Sequence, residues 1–199
     1  MNIMKVLAIA AVGFIGVAPG YAVPNVTSGS TVSLNGTFFT DPGGWSTGVN
    51  GTGPGLVNGV FQPENQQWDF NSVWWNGTDN PANNIVLNLN GVYAITGFAV
   101  QADDNDVYEL DYLAPLSSIW QTAWVIPAPG GFGLTTSSTT LGTPIVATAL
   151  RFVADSGDGL YAVSQIDATG SAVPDTATTW PLLGAGFCTL AAARRFLKR

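Results

Sequence analysis

Apolar and polar residues alternate along the middle of the chain in a way that predicts β-strands. Apolar residues occupy every second position from Ile85 to Leu89, and the segment from Tyr108 to Tyr112 repeats the alternation. Successive side chains of a strand point to opposite faces, so each of these strands has one buried and one solvated face. The segment 94–102 changes phase near Gly97, where a β-bulge would reset the register. Residues 85–124 therefore predict four consecutive strands of an antiparallel sheet, which is half of a β-sandwich.

Shorter apolar runs that end at Gly, Asn or Asp turns predict the remaining strands. A Ser/Thr-rich stretch flanked by Pro and Gly, residues 127–144, predicts a long loop at one end of the sandwich. Charged residues make up only 10% of the chain and there are 24 glycines, a balance typical of strands and turns. The additional strands are predicted at 31–34, 38–39, 147–154 and 160–168, within one all-β domain at 23–170.

The two ends of the chain differ from this body and predict targeting segments. Residues 1–22 have Lys5, an apolar run and a small-x-small sequence ending at Ala22, as in a secretory signal peptide. Residues 171–199 combine a short motif, an apolar helix at 180–193 and a basic end at 194–199. That helix would span about 21 Å, which is short of the ~30 Å hydrocarbon core. We therefore expect a transient inner-membrane anchor with a cytoplasmic C-terminus.

The body is strongly acidic. Between residues 23 and 173 there are twelve acidic residues and one basic residue, Arg151, which leaves a net charge of −11. Phosphate backbones bind through Lys and Arg, so the charge argues against nucleic acid as a partner. A neutral polysaccharide or a divalent cation fits better, and an acidic surface kept only for solubility is the alternative. Arg151 lies within a predicted strand, where we expect it to pair with a carboxylate.

Residue types that catalytic sites commonly use are missing from the sequence. The chain has no histidine and a single cysteine, Cys188, which excludes Ser-His-Asp and Cys-His nucleophile pairs and histidine-bound metals. A hydrolase that works with carboxylates alone needs two acids about 5–10 Å apart across a cleft. No sequence pattern pairs Asp69, Asp79 or Asp103 in this way. We therefore predict a protein that is not an enzyme.

Tryptophans alternate with amides and carboxylates in the segment 62–84, which contains Trp74 and Trp75. Aromatic rings stack on the apolar faces of sugar rings while neighbouring polar groups bind the hydroxyls. Because the pair runs directly toward a strand, we expect one of the two tryptophans to belong to the core. The predicted glycan-binding residues, placed on loops at one end of the sandwich, are Trp45, Trp68, Asp69, Asn71 and Asn76.

The densest acidic cluster, Asp103, Asp104 and Asp106, lies in a turn between two predicted strands. Carboxylate oxygens are calcium ligands, but the cluster lacks the twelve-residue spacing and closing Glu of an EF-hand loop. Two interpretations remain open, a Ca²⁺ site and a solvated acidic turn without an ion.

The tail is similar to the PEP-CTERM class of C-terminal sorting signals, specifically the VPDSG variant. The similarity rests on Val173, Pro174, Asp175 and Thr176, the apolar segment and the Arg-Arg pair, although Ala177 stands where that variant has Gly. This resemblance implies a Gram-negative bacterium that makes exopolysaccharide, recognition by an exosortase at the membrane, and cleavage near Val173, Pro174 and Asp175.

The body resembles the discoidin or coagulation-factor C-type domains, which are galactose-binding-like jelly-roll β-sandwiches. Such domains often hold a structural calcium with carbonyls around an Asp-Gly turn and a Glu of the last strand. The corresponding positions here are Asn58 and Gln165, both neutral amides. The similarity rests on Leu56-Val57-Asn58-Gly59, Val73-Trp74-Trp75, Ile85–Leu89, Tyr93-Ala94-Ile95, Trp120, Ala149–Val153 and Val163-Ser164-Gln165-Ile166.

Two functions fit these features. The first is an exported, non-catalytic surface or matrix protein that binds carbohydrate, such as the exopolysaccharide of the cell that produces it. The second is a structural protein of the biofilm or envelope that acts by self-association without a glycan site. Glycan binding and concentration-dependent assembly distinguish them.

Overall fold

The computed structural model describes residues 24–174, apart from residues 40, 42, 43, 47, 49, 50 and 78–81. The predicted signal peptide, the apolar helix at 180–193 and the basic end lie outside the described residues. No helix within the described part of the chain is long and apolar enough to cross a membrane.

The described chain forms an all-β antiparallel sandwich, as the alternation predicted. A short 3₁₀ helix at Pro54–Val57 follows the first strand. In the sheet the strands lie in the order β2-β7-β3-β6-β4-β5, and β1 pairs with β3. The strands are β1 (Thr31–Asn35), β2 (Val73–Asn76), β3 (Asn84–Asp103), β4 (Val107–Leu113), β5 (Trp120–Ile126), β6 (Leu134–Ser156) and β7 (Leu160–Ala172).

Two long strands, β3 and β6, run through both halves of the sheet. The beginning of β3 pairs with the end of β6, whereas its second half pairs with the beginning of β6 and with β7. The prediction of four strands over 85–124 is wrong at this point, because 85–89 and 94–102 belong to one strand. Irregular pairing near Asn90, whose φ is 56°, and at Gly97 changes the register without ending the strand. The predicted bulge near Gly97 is confirmed.

The Ser/Thr-rich stretch is also a strand over most of its length. The loop spans only 127–133, and β6 begins at Leu134, whose side chain is fully buried. Residues 134–140 pair with 97–103 of β3. The prediction of a loop over 127–144 is therefore wrong beyond residue 133. Threonine is β-branched and fits a pleated strand, so a Ser/Thr-rich stretch can be a strand as well as a loop. The predicted short strand at 38–39 is a single bridge between Phe39 and Trp74.

Strand β4 has a buried face and a second face that is less solvated than expected. Tyr108 and Leu110 are fully buried, as the alternation predicted. On the opposite face Asp111 is also buried, because Arg151 of β6 donates to its carboxylate from Nε at 2.9 Å and from Nη2 at 2.6 Å. The guanidinium lies 5.0 Å from the ring centre of Trp120. The expected carboxylate partner of Arg151 is therefore confirmed.

Trp75 is the large aromatic residue at the centre of the core. Its side chain is 1% exposed, and its ring lies against four other rings. Trp74, the preceding residue, points to the other side of β2 and stacks on Phe39 at 4.3 Å between ring centres. The expectation that one of the pair belongs to the core is thus confirmed for Trp75. Its ring neighbours are Phe38, Tyr108, Phe152 and Tyr161.

Candidate functional site

Four aromatic residues pack together on the side of β2 opposite to Trp75, and Trp45 is the exposed one among them. We call this cluster the aromatic patch: Phe39, Trp45, Trp68 and Trp74. The ring centres of Trp45 and Trp68 are 5.0 Å apart, and that of Trp68 is 5.2 Å from Trp74. A hydrogen bond holds the Trp74 ring in place, since its indole N–H donates to the carbonyl of Asp41 at 2.8 Å. Trp45 is 57% exposed, so the patch presents an indole ring to solvent on a packed aromatic base.

Asp69 holds the exposed tryptophan in place. Its Oδ2 atom accepts the backbone N–H groups of Trp45 and Ser46, both at 3.1 Å. The side chain is only 1% exposed, and its Oδ1 atom is buried with no hydrogen-bond partner among the described residues. A carboxylate with this little exposure cannot receive sugar hydroxyls directly. Asp69 was predicted as a ligand-binding residue, and the structure places it as a positioning residue for Trp45.

The other two predicted glycan-binding residues, Asn71 and Asn76, occupy two different positions. Asn71 has a φ of 53° and lines a polar pocket, where its Nδ2 donates to Oε1 of Gln62 at 2.9 Å. Asn76 is exposed at the last position of β2, opposite Leu160 of β7. The prediction of one five-residue site therefore becomes Trp45, Trp68 and Asp69 together, with Asn71 at the polar pocket and Asn76 two residues after Trp74 on the same face of β2.

The acidic turn between β3 and β4 is buried. Asp104 donates its N–H to the carbonyl of Gly133 at 3.1 Å, and its own carbonyl accepts from Gly130 at 3.0 Å. Asp106 accepts the N–H of Asp158 at 3.1 Å through Oδ1. Because the 127–133 loop and the 157–159 turn cover them, Asp103, Asp104 and Asp106 are each less than 5% exposed. The interpretation as a solvated turn is wrong.

Burial changes the acidity of this turn. Desolvation, reinforced by the charge of Asp106, raises the pKa of Asp103 from 3.8 to about 7. Desolvation likewise raises the pKa of Asp106 to about 6, although hydrogen bonds from Asp158 and Tyr108 oppose the rise. The pKa of the Tyr108 phenol lies well above its ordinary value because the group is buried beside these acids. Asp103 and Asp106 therefore keep their protons to a higher pH than exposed aspartates, which ionise near pH 4.

The predicted calcium ligands are the three aspartates of the acidic turn, Asn58 and Gln165. Among the described residues, no three carboxylate or cysteine side chains surround a point that could hold a metal ion. Asn58 is exposed and its Oδ1 accepts the N–H of Val60 at 2.8 Å, whereas Gln165 is fully buried and donates to Asp167. Neither provides the charged oxygen that drives calcium binding. The donor set around Asn58 and Gln165 does not fit a tight calcium ion.

Several residues of interest were not found by sequence reasoning. Gln101 is fully buried and bonds to both Gln62 and Ser164. These residues are uncharged and come from distant segments, so neither composition nor spacing marks them. The one available signal was a glutamine within the apolar run of β3, where a buried polar group requires partners.

Solved structures with the same fold include known sugar-binding proteins. A fucolectin from striped bass serum aligns with a TM-score of 0.57 at 10% identity, covering 78% of this chain and 52% of the lectin. The lectin domain of lectinolysin, complexed with Lewis B antigen, aligns at 0.51 with 11% identity over 75% of this chain and 98% of that domain.

A family 32 carbohydrate-binding module of EndoD from Streptococcus pneumoniae aligns at 0.50 with 13% identity over 74% of this chain and all of that module. No protein-family model and no curated protein sequence matches the chain. At these identities the similarity establishes the architecture: the described chain has the discoidin-like β-sandwich fold that these carbohydrate-binding modules and lectins share.

Proposed function

We propose that this protein is a non-catalytic carbohydrate-binding module whose aromatic patch binds a neutral glycan. The observation that carries the proposal is the exposed Trp45 ring, which rests on Trp68 and is fixed by the buried Asp69. A rigid ring in this setting can stack on the apolar face of a sugar at little entropic cost. The fold supports the proposal only by analogy, because one fold serves many functions.

The rest of the proposal concerns where the protein works. We infer that it is exported and acts at the cell surface or in the extracellular matrix, associated with exopolysaccharide and processed by an exosortase. The signal-like N-terminus and the tail support this inference. The last described bond of the sheet, from Val173 N–H to the carbonyl of Val92 at 2.8 Å, lies at the beginning of the sorting motif. A protease could therefore cut after residue 173 without disrupting the core.

This sorting step predicts a change in mass. In a host with an exosortase, the protein recovered from the cell surface should lack the residues beyond the motif. Replacing Val173, Pro174 and Asp175 together with alanine should leave the tail attached. Intact-mass spectrometry of the two proteins measures the difference, and equal processing of both would contradict the assignment of the motif.

Trp45→Ala is expected to weaken glycan binding by roughly tenfold or more, because loss of a stacked aromatic surface costs about 1–3 kcal/mol. The measurement is calorimetry on neutral glycans and exopolysaccharide, with calcium and with chelator. Trp120→Ala serves as the matched control, since Trp120 contacts Arg151 on β6 and lies outside the aromatic patch. Equal affinity of the Trp45 and Trp120 variants would rule out the patch. Assembly without glycan affinity would instead favour the structural role.

A further inference from the structure

A second polar feature lies beside the 3₁₀ helix and contains none of the aromatic patch residues. It is a pocket of about 210 Å³ between the segment that precedes β2 and the strand β7. Pockets for drug-sized ligands are about 300–1,000 Å³, so this volume suits one small unit. The residues that line it and matter here are Thr52, Gly55, Asn58, Gln62, Asn71 and Ser164.

The pocket carries no charge. All of its lining side chains are amides, hydroxyls or glycine hydrogens, and none titrates in the physiological range. The surrounding body has a net charge of −11, which disfavours anions. A neutral ligand is therefore the matching class.

The hydrogen-bonding groups of the pocket are mainly donors. The Oδ1 atom of Asn58 accepts from Val60, and the Oε1 atom of Gln62 accepts from Asn71, so each oxygen already has one protein donor. The amide nitrogens of Asn58 and Gln62 donate to no protein acceptor within the described residues. The oxygen of Thr52 accepts the N–H of Gly55 at 3.1 Å, which leaves the hydroxyl hydrogen to donate. A ligand with several acceptor oxygens complements these groups.

A buried glutamine fixes the wall of the pocket. Gln101 accepts the backbone N–H of Gln62 at 2.7 Å and returns a bond to the Gln62 carbonyl at 2.9 Å. Ser164 donates to the same Gln101 oxygen at 2.7 Å. Because Gln101 is fully buried in β3, this network holds the backbone at Gln62 against β3 and β7 in the absence of a ligand.

We propose that this pocket binds one neutral sugar unit through its ring and hydroxyl oxygens, as a site separate from the aromatic patch. The inference rests on the proposed glycan binding for its ligand class. The patch would stack on one face of a sugar ring, and the pocket would hydrogen-bond to the oxygens of a single sugar unit of the polysaccharide.

The test uses the full chain with free galactose, glucose, fucose and galacturonic acid as probes, and binding is followed by amide chemical shifts and calorimetry. A neutral sugar should shift the amides of the segment 51–58, and galacturonic acid should bind more weakly. Gly55→Leu should weaken that binding at least tenfold, because its Cβ would lie 3.0 Å from the Thr52 hydroxyl and the side chain would fill the pocket. Gly142→Leu on β6 is the matched control, since the new Cβ would have no described residue other than its chain neighbours within 4 Å.

Gln62→Met gives an independent variant, because it removes a donor at nearly constant volume. Binding should fall in Gln62→Met even where Gly55→Leu folds poorly. Unchanged sugar affinity in a folded Gly55→Leu or in Gln62→Met would overturn the pocket. So would tighter binding of galacturonic acid than of galactose. Glycan binding that depends on Trp45 but not on Gly55 would reject the pocket and retain the proposed function, whereas no glycan binding by the wild type would reject both.

Discussion

Replacing Trp75 with alanine is expected to lower the free energy of unfolding by about 3–5 kcal/mol, the range for truncating a buried large aromatic side chain. The Trp75 ring lies 5.2 Å from Phe38 and 5.6 Å from Tyr161 between centres, and rings of β4 and β6 close the other sides. Its removal leaves a cavity that several strands border, and none of them can move inward alone. Urea denaturation followed by fluorescence measures the loss.

Trp120→Ala provides the comparison for this variant. Trp120 is partly exposed on β5, at the edge of the sheet, and among the described residues it contacts the Arg151 guanidinium and no other aromatic ring. We expect its removal to cost much less than that of Trp75. If the two variants lost equal stability, the central position of Trp75 in the core would be contradicted.

Asp103→Asn is expected to stabilise the protein above pH 7 by at most about 4 kcal/mol, because the pKa rises from 3.8 to about 7 on folding and each pKa unit corresponds to about 1.4 kcal/mol. The Oδ1 atom of Asp103 accepts the N–H of Asp104 at 3.0 Å, and an asparagine oxygen can make the same bond. What the substitution removes is a carboxylate whose ionisation is opposed by burial and by Asp106. Chemical denaturation at several pH values measures the gain.

The pH profile gives the sign of this effect. Asp103 has a pKa of about 7 when folded and 3.8 as the reference value, so the folded state binds the proton more tightly. This contribution to stability is complete below about pH 4 and decreases as the pH rises to about 7. Asp103→Asn should flatten that decrease, leaving the smaller part from Asp106, whose pKa is about 6. Asp155→Asn, at an exposed position near the end of β6, should leave the slope as in the wild type.

The candidate site was predicted in part. Tryptophans among polar residues indicated the aromatic patch, and the structure brings Trp45 and Trp68 together. The sequence could not show that Asp69 points inward, because a carboxylate between aromatic residues has the same pattern whether it binds ligand or backbone. Asn71 lies two residues from Asp69, yet its left-handed backbone turns it into the pocket.

The sequence by itself determined the fold class, because alternation along β3 and β4 assigns the buried faces without knowledge of their partners. It also determined the absence of histidine chemistry and the acidic character of the body. Only the tertiary structure decided that β3 continues through its bulge and that the Ser/Thr run pairs with it, since strand pairing depends on residues distant in the chain. It likewise decided that Asp103 and Asp106 are buried, because the 127–133 and 157–159 segments that cover the turn are brought there by the fold.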